Sequence, residues 1–305
     1  MEINKVSIIG LGALGILYGN HLLNNMPKEN LRILADENRV NRYKEKGVFC
    51  NGNKCNFNYI TPNLENDPAD LMIFSVKYGG LKEAIKTAEN QIGDNTIIIS
   101  TLNGIVSEKE IGKSYGVDKV VYCVAQGMDA LKKDNELTYH SMGDLCIGEL
   151  NGEEPSEKLK SVVSFFEKVN LPYILDNNMK KRLWGKFMLN VGVNQTVALY
   201  KGTYDTIQTP GKERNTMIAA MREVMELSKY EGLEITEEDL DYWLNILDTL
   251  NPQGLPSMRQ DTKAKRSSEV DLFAGTVVNL GKKHSILTPV NQMLYNKIKK
   301  IEKEF

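Results

Sequence analysis

"SIIGLGALGILYG", residues 7–19, decides the fold: a strand-like apolar run opens into Gly10-x-Gly12-x-x-Gly15 and then into a helical pattern over 13–26. Such closely spaced glycines say little by themselves. Set between a strand and a helix, each has its own purpose. The first permits a tight turn, the second lets backbone approach a pyrophosphate, and the third lets helix and strand pack closely. The helix start adds unpaired N–H groups and a partial positive charge suited to an anion. Gly10, Leu11, Gly12, Ala13, Leu14 and Gly15 therefore form a candidate dinucleotide-binding turn.

Downstream, short apolar runs continue to alternate with helical patterns. "LRILA" (31–35), "DLMIFSVK" (70–77) and "NTIIIS" (95–100) read as strands, with helices over 38–46 and 79–92. The last two runs are apolar throughout, as expected of strands covered on both faces in a parallel sheet. "KVVYCVAQGM" (119–128), "ELTYH" (136–140) and "DLCIGEL" (144–150) lie too close together for helical crossovers and predict an antiparallel extension of that sheet. A helix over 155–169 and a strand at "PYIL" (172–175) complete this part.

From Lys180 the pattern becomes almost wholly helical. Met217, Met221, Val224, Met225 and Ser228 mark one helix face and read as core filler. In "ITEEDL" (235–240), Thr236 reads as a helix cap ahead of Asp239. The expected architecture is α/β: a Rossmann-type dinucleotide-binding domain over 1–178, then an all-α domain over 179–305.

The 305 residues carry a formal charge of −2, about −5 before residue 179 and +3 after it, too mild a separation for a nucleic-acid or membrane surface. The N-terminal stretch lacks the pattern of an export signal, and no apolar run approaches the roughly 20 residues that a bilayer span requires. Cys50, Cys55, Cys123 and Cys146 form no CxxC pair and have no histidine nearby, which argues against a zinc site and fits reduced thiols in a cytoplasmic protein. No metal site is expected. His21, His140 and His284 read as structural or surface residues rather than as catalytic bases.

Asp36 follows the second strand, about 20 residues past Gly15, where a carboxylate would accept from a ribose 2′-OH and favour NAD. Arg39 and Arg42 lie close enough to grip a 2′-phosphate instead, or to be solvated surface charges.

In "RLWGKFMLNVGVNQTVAL" (182–199), Lys186, Asn190 and Asn194 stand at i, i+4 and i+8, a narrow polar stripe on an otherwise mostly apolar helix. The stripe could be the wet side of an amphipathic helix. Asparagine serves poorly there, because its side chain competes with the helix backbone, so the pattern suggests selection for hydrogen-bond geometry. In "PSMRQDTKAKRSSEVDLFAGTVVNL" (256–280), Glu269, Phe273 and Val277 share a helical face, so the carboxylate is aligned with apolar neighbours and needs a partner if buried. It reads equally well as a capping feature after Ser267 and Ser268.

Taken together, "GLGALG", "SVKY" with Lys77, "TLNG" with Asn103, "WGKFMLNVGVN" and "PSMRQDTKAKRSSEVD" resemble the ketopantoate reductases (2-dehydropantoate 2-reductases) across nearly the whole chain. The resemblance implies a Rossmann domain followed by a helical domain, with substrate and nicotinamide in the cleft between them. It further implies reduction of 2-dehydropantoate to pantoate with NADPH, in pantothenate and coenzyme A synthesis. The family's catalytic lysine falls on Lys186 and its active-site glutamate on Glu269, which would hold the substrate hydroxyl. Asn190 and Asn194 fall on substrate-binding asparagines, and Ser257 on the residue that contacts the substrate carboxylate. Asn103 falls on a polar group near the nicotinamide and the reacting centre, which would contact substrate as well as cofactor, and Lys77 on a cofactor-side lysine. A homodimer is a further expectation by analogy. Two departures stand out: Asp36 where many members carry a basic residue, which leaves NAD open as cofactor, and Gln195 where proline often follows the second asparagine. A reductase of another 2-oxo acid, or a non-catalytic NAD(P)-binding sensor, are the competing readings; retention of Lys186, Glu269, Asn190 and Ser257 weighs against the sensor.

Overall fold

The computed structural model describes residues 1–64 and 67–305, which divide into two compact units, Met1–Met179 and Lys180–Phe305. In the first unit the order is β1 (Val6–Ile9), α1 (Ala13–Asn25), β2 (Leu31–Leu34), α2 (Glu37–Lys46), β3 (Phe49–Cys50), β4 (Asn53–Lys54), β5 (Asn58–Ile60), β6 (Leu71–Phe74) and α3 (Leu81–Thr87). It continues with β7 (Ile97–Ser100), α4 (Ser107–Tyr115), β8 (Val120–Gln126), β9 (Leu131–Lys133), β10 (Glu136–Thr138), β11 (Asp144–Gly148), α5 (Glu157–Lys168) and β12 (Tyr173–Leu175).

The main sheet has the order β12-β11-β8-β7-β6-β1-β2-β5. From β5 to β8 every neighbour is parallel, and β1, β2, β6 and β7 are buried along their whole length. Burial on both faces explains why these strands lack apolar alternation. β11 then pairs antiparallel to β8, as expected of an extension of the sheet at this edge, and β12 lies parallel to β11.

"ELTYH" departs from expectation. β10 belongs to a separate four-stranded sheet, β4-β3-β10-β9, pairing antiparallel with β9 and parallel with β3. The reason is competition for one edge: the longer, more apolar β11 occupies the open side of β8. β10 instead closes a tight hairpin on β9 and buries the single apolar residue Leu137. The expected helix over 79–92 is also shorter, with 3₁₀ turns at Tyr78–Gly80 and Glu89–Gln91 on either side of α3. β3, β4, β5, β9 and α4 have no counterpart in the sequence reading.

The second unit is helical: α6 (Met179–Tyr200), α7 (Asp205–Gln208), α8 (Lys212–Tyr230), α9 (Glu237–Thr249), α10 (Ser257–Lys263), a π-helical turn (Asp271–Gly275), α11 (Thr276–His284) and α12 (Pro289–Glu302). The methionine stripe on α8 is buried, as expected of core. Thr236 caps α9 in a reciprocal box, its hydroxyl accepting from the Asp239 amide while the Asp239 carboxylate accepts from the Thr236 amide.

Candidate active site

The chain leaves β1, runs outward to β2 and β5, then crosses back to β6 on the other side of β1, so the C-terminal ends of β1 and β6 flank the point where strand order reverses. Open parallel sheets bind ligands at that point. The glycine turn stands there, and its glycines are required for different reasons. Gly10 has φ +98°, and a Cβ on it would lie 2.7 Å from the Ser75 carbonyl oxygen. A Cβ on Gly15 would fall 1.9 Å from the Gly10 carbonyl oxygen, so α1 could not close onto β1. On Gly12 the nearest atom would be at 3.5 Å, an ordinary contact. The protein's own packing thus explains Gly10 and Gly15 but leaves room at Gly12, where a ligand backbone could approach. Gly12 also caps α1 without a side-chain hydrogen bond, and α1 has no acidic residue in its first turn. This fits a dinucleotide pyrophosphate well.

Asp36 has a role the sequence reading did not assign. It is the N-cap of α2, its Oδ1 accepting from the Arg39 amide at 2.8 Å while Oδ2 lies 3.3 Å from Arg39 Nε. Carboxylate and guanidinium are therefore paired at the end of β2, with Glu83 at 3.8 Å from the same Arg39. Arg42 lies over the ring of Tyr43, 5.4 Å from its centroid. It lines a cavity of about 350 Å³ with Leu11, Ile16, Lys46 and Lys132.

Lys77 and Asn103 follow the C-terminal ends of the adjacent strands β6 and β7. The segment carrying Asn103 is fixed at its root, where Thr101 Oγ1 and Ser75 Oγ share a 2.8 Å hydrogen bond and the Thr101 amide donates to the Phe74 carbonyl. On its other side a relay runs inward: the Leu102 amide donates to Ser100 Oγ, Ser100 to Ser107 Oγ, and Ser107 to Glu108 Oε2. Glu108 is 5% exposed and its other oxygen is buried with no partner among the described residues. Burial raises its carboxyl pKa to about 7, against the weaker opposing effect of its own backbone and Ser107. The sequence reading passed over this residue, which "SEKE" presents as one of several helix-start charges. The signal was its spacing with Ile111, three residues on, which is also buried.

α6 overturns the wet-face reading of the polar stripe. Asn190 and Asn194 are 7% and 5% exposed, and from Leu183 to Ala198 only Lys186 is not buried. A buried amide left unpaired costs about 1–3 kcal/mol, so these side chains need partners. Asn194 Nδ2 donates to Asn190 Oδ1 at 3.2 Å. Its own Oδ1 accepts from Ser257 Oγ at 3.1 Å and from the Met258 amide at 3.2 Å. The structure thus joins three of the predicted substrate residues, Asn190, Asn194 and Ser257, in one chain of hydrogen bonds. Lys186 stands one helical turn before Asn190, with its side chain partly exposed. An ammonium group followed by ordered amides and a hydroxyl can polarise a carbonyl and hold a carboxylate beside it.

Glu269 lies just before the π turn, half-buried, with its carbonyl accepting from the Phe273 amide. The expected continuous α-helical face from Glu269 through Val277 is interrupted, because residues 271–275 are wound as π-helix. Ser268, expected near a helix start, accepts from the Val270 amide through Oγ. Gln195 was passed over as a functional residue. It is fully buried, and its Oε1 accepts from the Ala274 amide. Of the histidines, His21 contacts the Val169 carbonyl oxygen at 2.8 Å and His284 pairs with Glu231 at 2.6 Å.

Comparison with known proteins places this geometry in context. The chain is 26% identical over 307 residues to a 2-dehydropantoate 2-reductase of Aquifex aeolicus, covering 97% of this chain and 96% of that protein. In fold it is similar to D-mandelate dehydrogenase solved with NADH and anilino(oxo)acetate, with a TM-score of 0.87 at 18% identity and coverage of 98% and 99%. A PanE/ApbA family ketopantoate reductase of Ralstonia eutropha gives a TM-score of 0.84 at 21% identity, with the same coverage. Residues 6–152 match the ketopantoate reductase PanE/ApbA family and residues 178–302 match that family's C-terminal domain. The chain belongs to the ketopantoate reductase family.

Proposed function

We propose that the protein reduces the ketone of 2-dehydropantoate to the secondary alcohol of pantoate, with NADPH as donor, the first unit holding the cofactor and the second the substrate. The observation that carries this reading is the buried Asn190–Asn194–Ser257 chain in line with Lys186 on one helix. A protein that only bound a dinucleotide would need the glycine turn and none of these residues.

When bound, the nicotinamide supplies a hydride to the carbonyl carbon. Lys186 hydrogen-bonds the carbonyl oxygen through its ammonium, stabilises negative charge developing there, and delivers a proton to that oxygen. The sum is one hydride and one proton added across C=O, with no histidine needed. Ser257, whose hydroxyl donates to Asn194 Oδ1 in the structure, turns that proton to the substrate carboxylate when substrate binds, and Asn190 and Asn194 fix the chain between carboxylate and ketone. Glu269 accepts from the substrate hydroxyl. Lys77 and Asn103, at neighbouring strand ends, hold the nicotinamide side.

NADPH is what the resemblance of the sequence motifs to the ketopantoate reductases implies. In the Asp36–Arg39 pair the carboxylate is taken up by the cap and by Arg39, and the guanidinium, beside Asp36 and Glu83, would exchange these carboxylates for a 2′-phosphate when NADPH binds. The test is loss of NADPH or NADH absorbance with 2-dehydropantoate, each cofactor titrated separately. Turnover favouring NADPH supports the whole reading. Preference for NADH returns Asp36 to the role of ribose partner, and absence of turnover with either moves the search to other 2-oxo acids.

A further inference from the structure

Residues 271–275 form a π turn between ordinary α-helical bonds, and such turns arise where something enters the i→i−4 ladder. Here the intruder is Gln195. Its Oε1 takes the Ala274 amide at 3.1 Å, and the Val270 carbonyl that this amide would have used accepts instead from Gly275, one residue further on, at 2.9 Å. One residue earlier the ladder is ordinary, with the Phe273 amide on the Glu269 carbonyl.

The side chain that does this is itself locked. Gln195 is fully buried, and its Nε2 donates to the Val191 carbonyl at 2.7 Å and to Asn291 Oδ1 at 3.1 Å. Asn291, also fully buried, donates from Nδ2 to the Ala220 carbonyl and to Glu223 Oε2. Glu223 in turn accepts from the Val290 and Asn291 amides at the start of α12. The amide of Gln195 is therefore oriented from two sides and presents only its oxygen to the π turn. Gln195 directly follows Asn194 in a helix with no exposed face there, so the same stretch of α6 fixes both the Ser257 end of the site and the turn behind Glu269.

We propose that Gln195 is a positioning residue: by diverting the Ala274 amide it winds the π turn that sets where Glu269 stands, and so sets the protein's preference for a hydroxyl-bearing 2-oxo acid. Without that oxygen, the Ala274 amide returns to the Val270 carbonyl. Glu269 then rotates relative to α11 by roughly the 100° that one residue occupies on a helix. The inference rests on the reading that Glu269 accepts from the substrate hydroxyl.

The test compares kcat/KM for 2-dehydropantoate with that for its deoxy analogue, the same carbon skeleton without the hydroxyl. It uses the wild type, Glu269→Gln, Gln195→Met, the double variant and Gln195→Glu, with NADPH affinity and thermal melting measured alongside. The wild type is expected to favour the hydroxyl-bearing substrate about tenfold or more, and Gln195→Met to lose most of that preference through KM with NADPH affinity unchanged. Adding Gln195→Met to Glu269→Gln should lower the ratio no further, and Gln195→Glu should retain it at a pH where its buried carboxyl is protonated, which keeps an acceptor oxygen for Ala274 and an O–H donor for Val191 or Asn291. Absence of preference in the wild type, or an unchanged ratio in Glu269→Gln, overturns the reading of Glu269. A ratio lost in Glu269→Gln but kept in folded Gln195→Met overturns the positioning role alone. Should Gln195→Met fail to fold, a folded Gln195→Glu that has lost the preference overturns it equally.

Discussion

The glycine turn of the first unit and the polar stripe of the second are built from opposite materials. The turn is backbone: it consists of a left-handed Gly10, a helix packed against β1 through Gly15, and an open Gly12 at the start of α1. The stripe is side chain: Asn190 and Asn194 bond one turn apart on α6, and Asn194 in turn holds Ser257 on α10, 63 residues further along the sequence. A backbone site tolerates loss of any one side chain, but no intrusion. A side-chain site tolerates small shifts of backbone, but not loss of a partner.

That contrast can be broken most severely at Gly15. Gly15→Ala places a Cβ against the Gly10 carbonyl and should cost about 3 kcal/mol or more with loss of cofactor binding, read by thermal melting and NADPH titration. Asn194→Ala leaves Ser257 and the Met258 amide without their acceptor, so melting should report about 1–3 kcal/mol lost and KM for the 2-oxo acid should rise, with NADPH affinity unchanged.

Glu108 sharpens the comparison from within the first unit, because it is a side-chain device that supports a backbone loop. Its carboxyl pKa is about 7 in the folded protein against an ordinary 4.5, so the native state binds the extra proton between those values. The resulting stability is complete below about pH 4.5 and is lost as pH rises through about 7. Glu108→Gln should therefore be more stable than the wild type near pH 8 by about 1–3 kcal/mol, and nearly equal to it near pH 4.5. The measurement is denaturant unfolding at both values. Asp36→Ala removes a helix cap worth about 1 kcal/mol and should shift the ratio of NADPH to NADH affinity. Smallest of all on stability is Gly12→Ala, under about 1 kcal/mol, although NADPH should bind more weakly because the added methyl stands where the ligand approaches.

The same difference decides what was legible in the sequence. Gly10, Gly12 and Gly15 could be read directly, since a backbone requirement leaves its mark on neighbouring residues. So could the parallel strands, whose burial on both faces produces unbroken apolar runs. Lys186, Asn190 and Asn194 were visible as a stripe, but whether that stripe was wet or buried depended on helices the sequence does not order. Glu108 and Gln195 were missed because a buried polar side chain resembles an exposed one until its partners are known. Asp36 shows a third case: its place after the second strand reads as a ribose partner, while the structure makes it the cap of α2. The π turn follows from one long-range bond, Gln195 to Ala274, which no local pattern announces.

The most direct test of the account is the reduction of 2-dehydropantoate by NADPH with Lys186→Ala, measured beside the wild type under saturating cofactor. The account predicts a kcat lower by about 10²–10⁴-fold, the usual contribution of a positioned acid, with unchanged NADPH affinity and melting temperature. A folded Lys186→Ala protein that keeps the wild-type rate would contradict it, and the proton donor would have to be sought elsewhere.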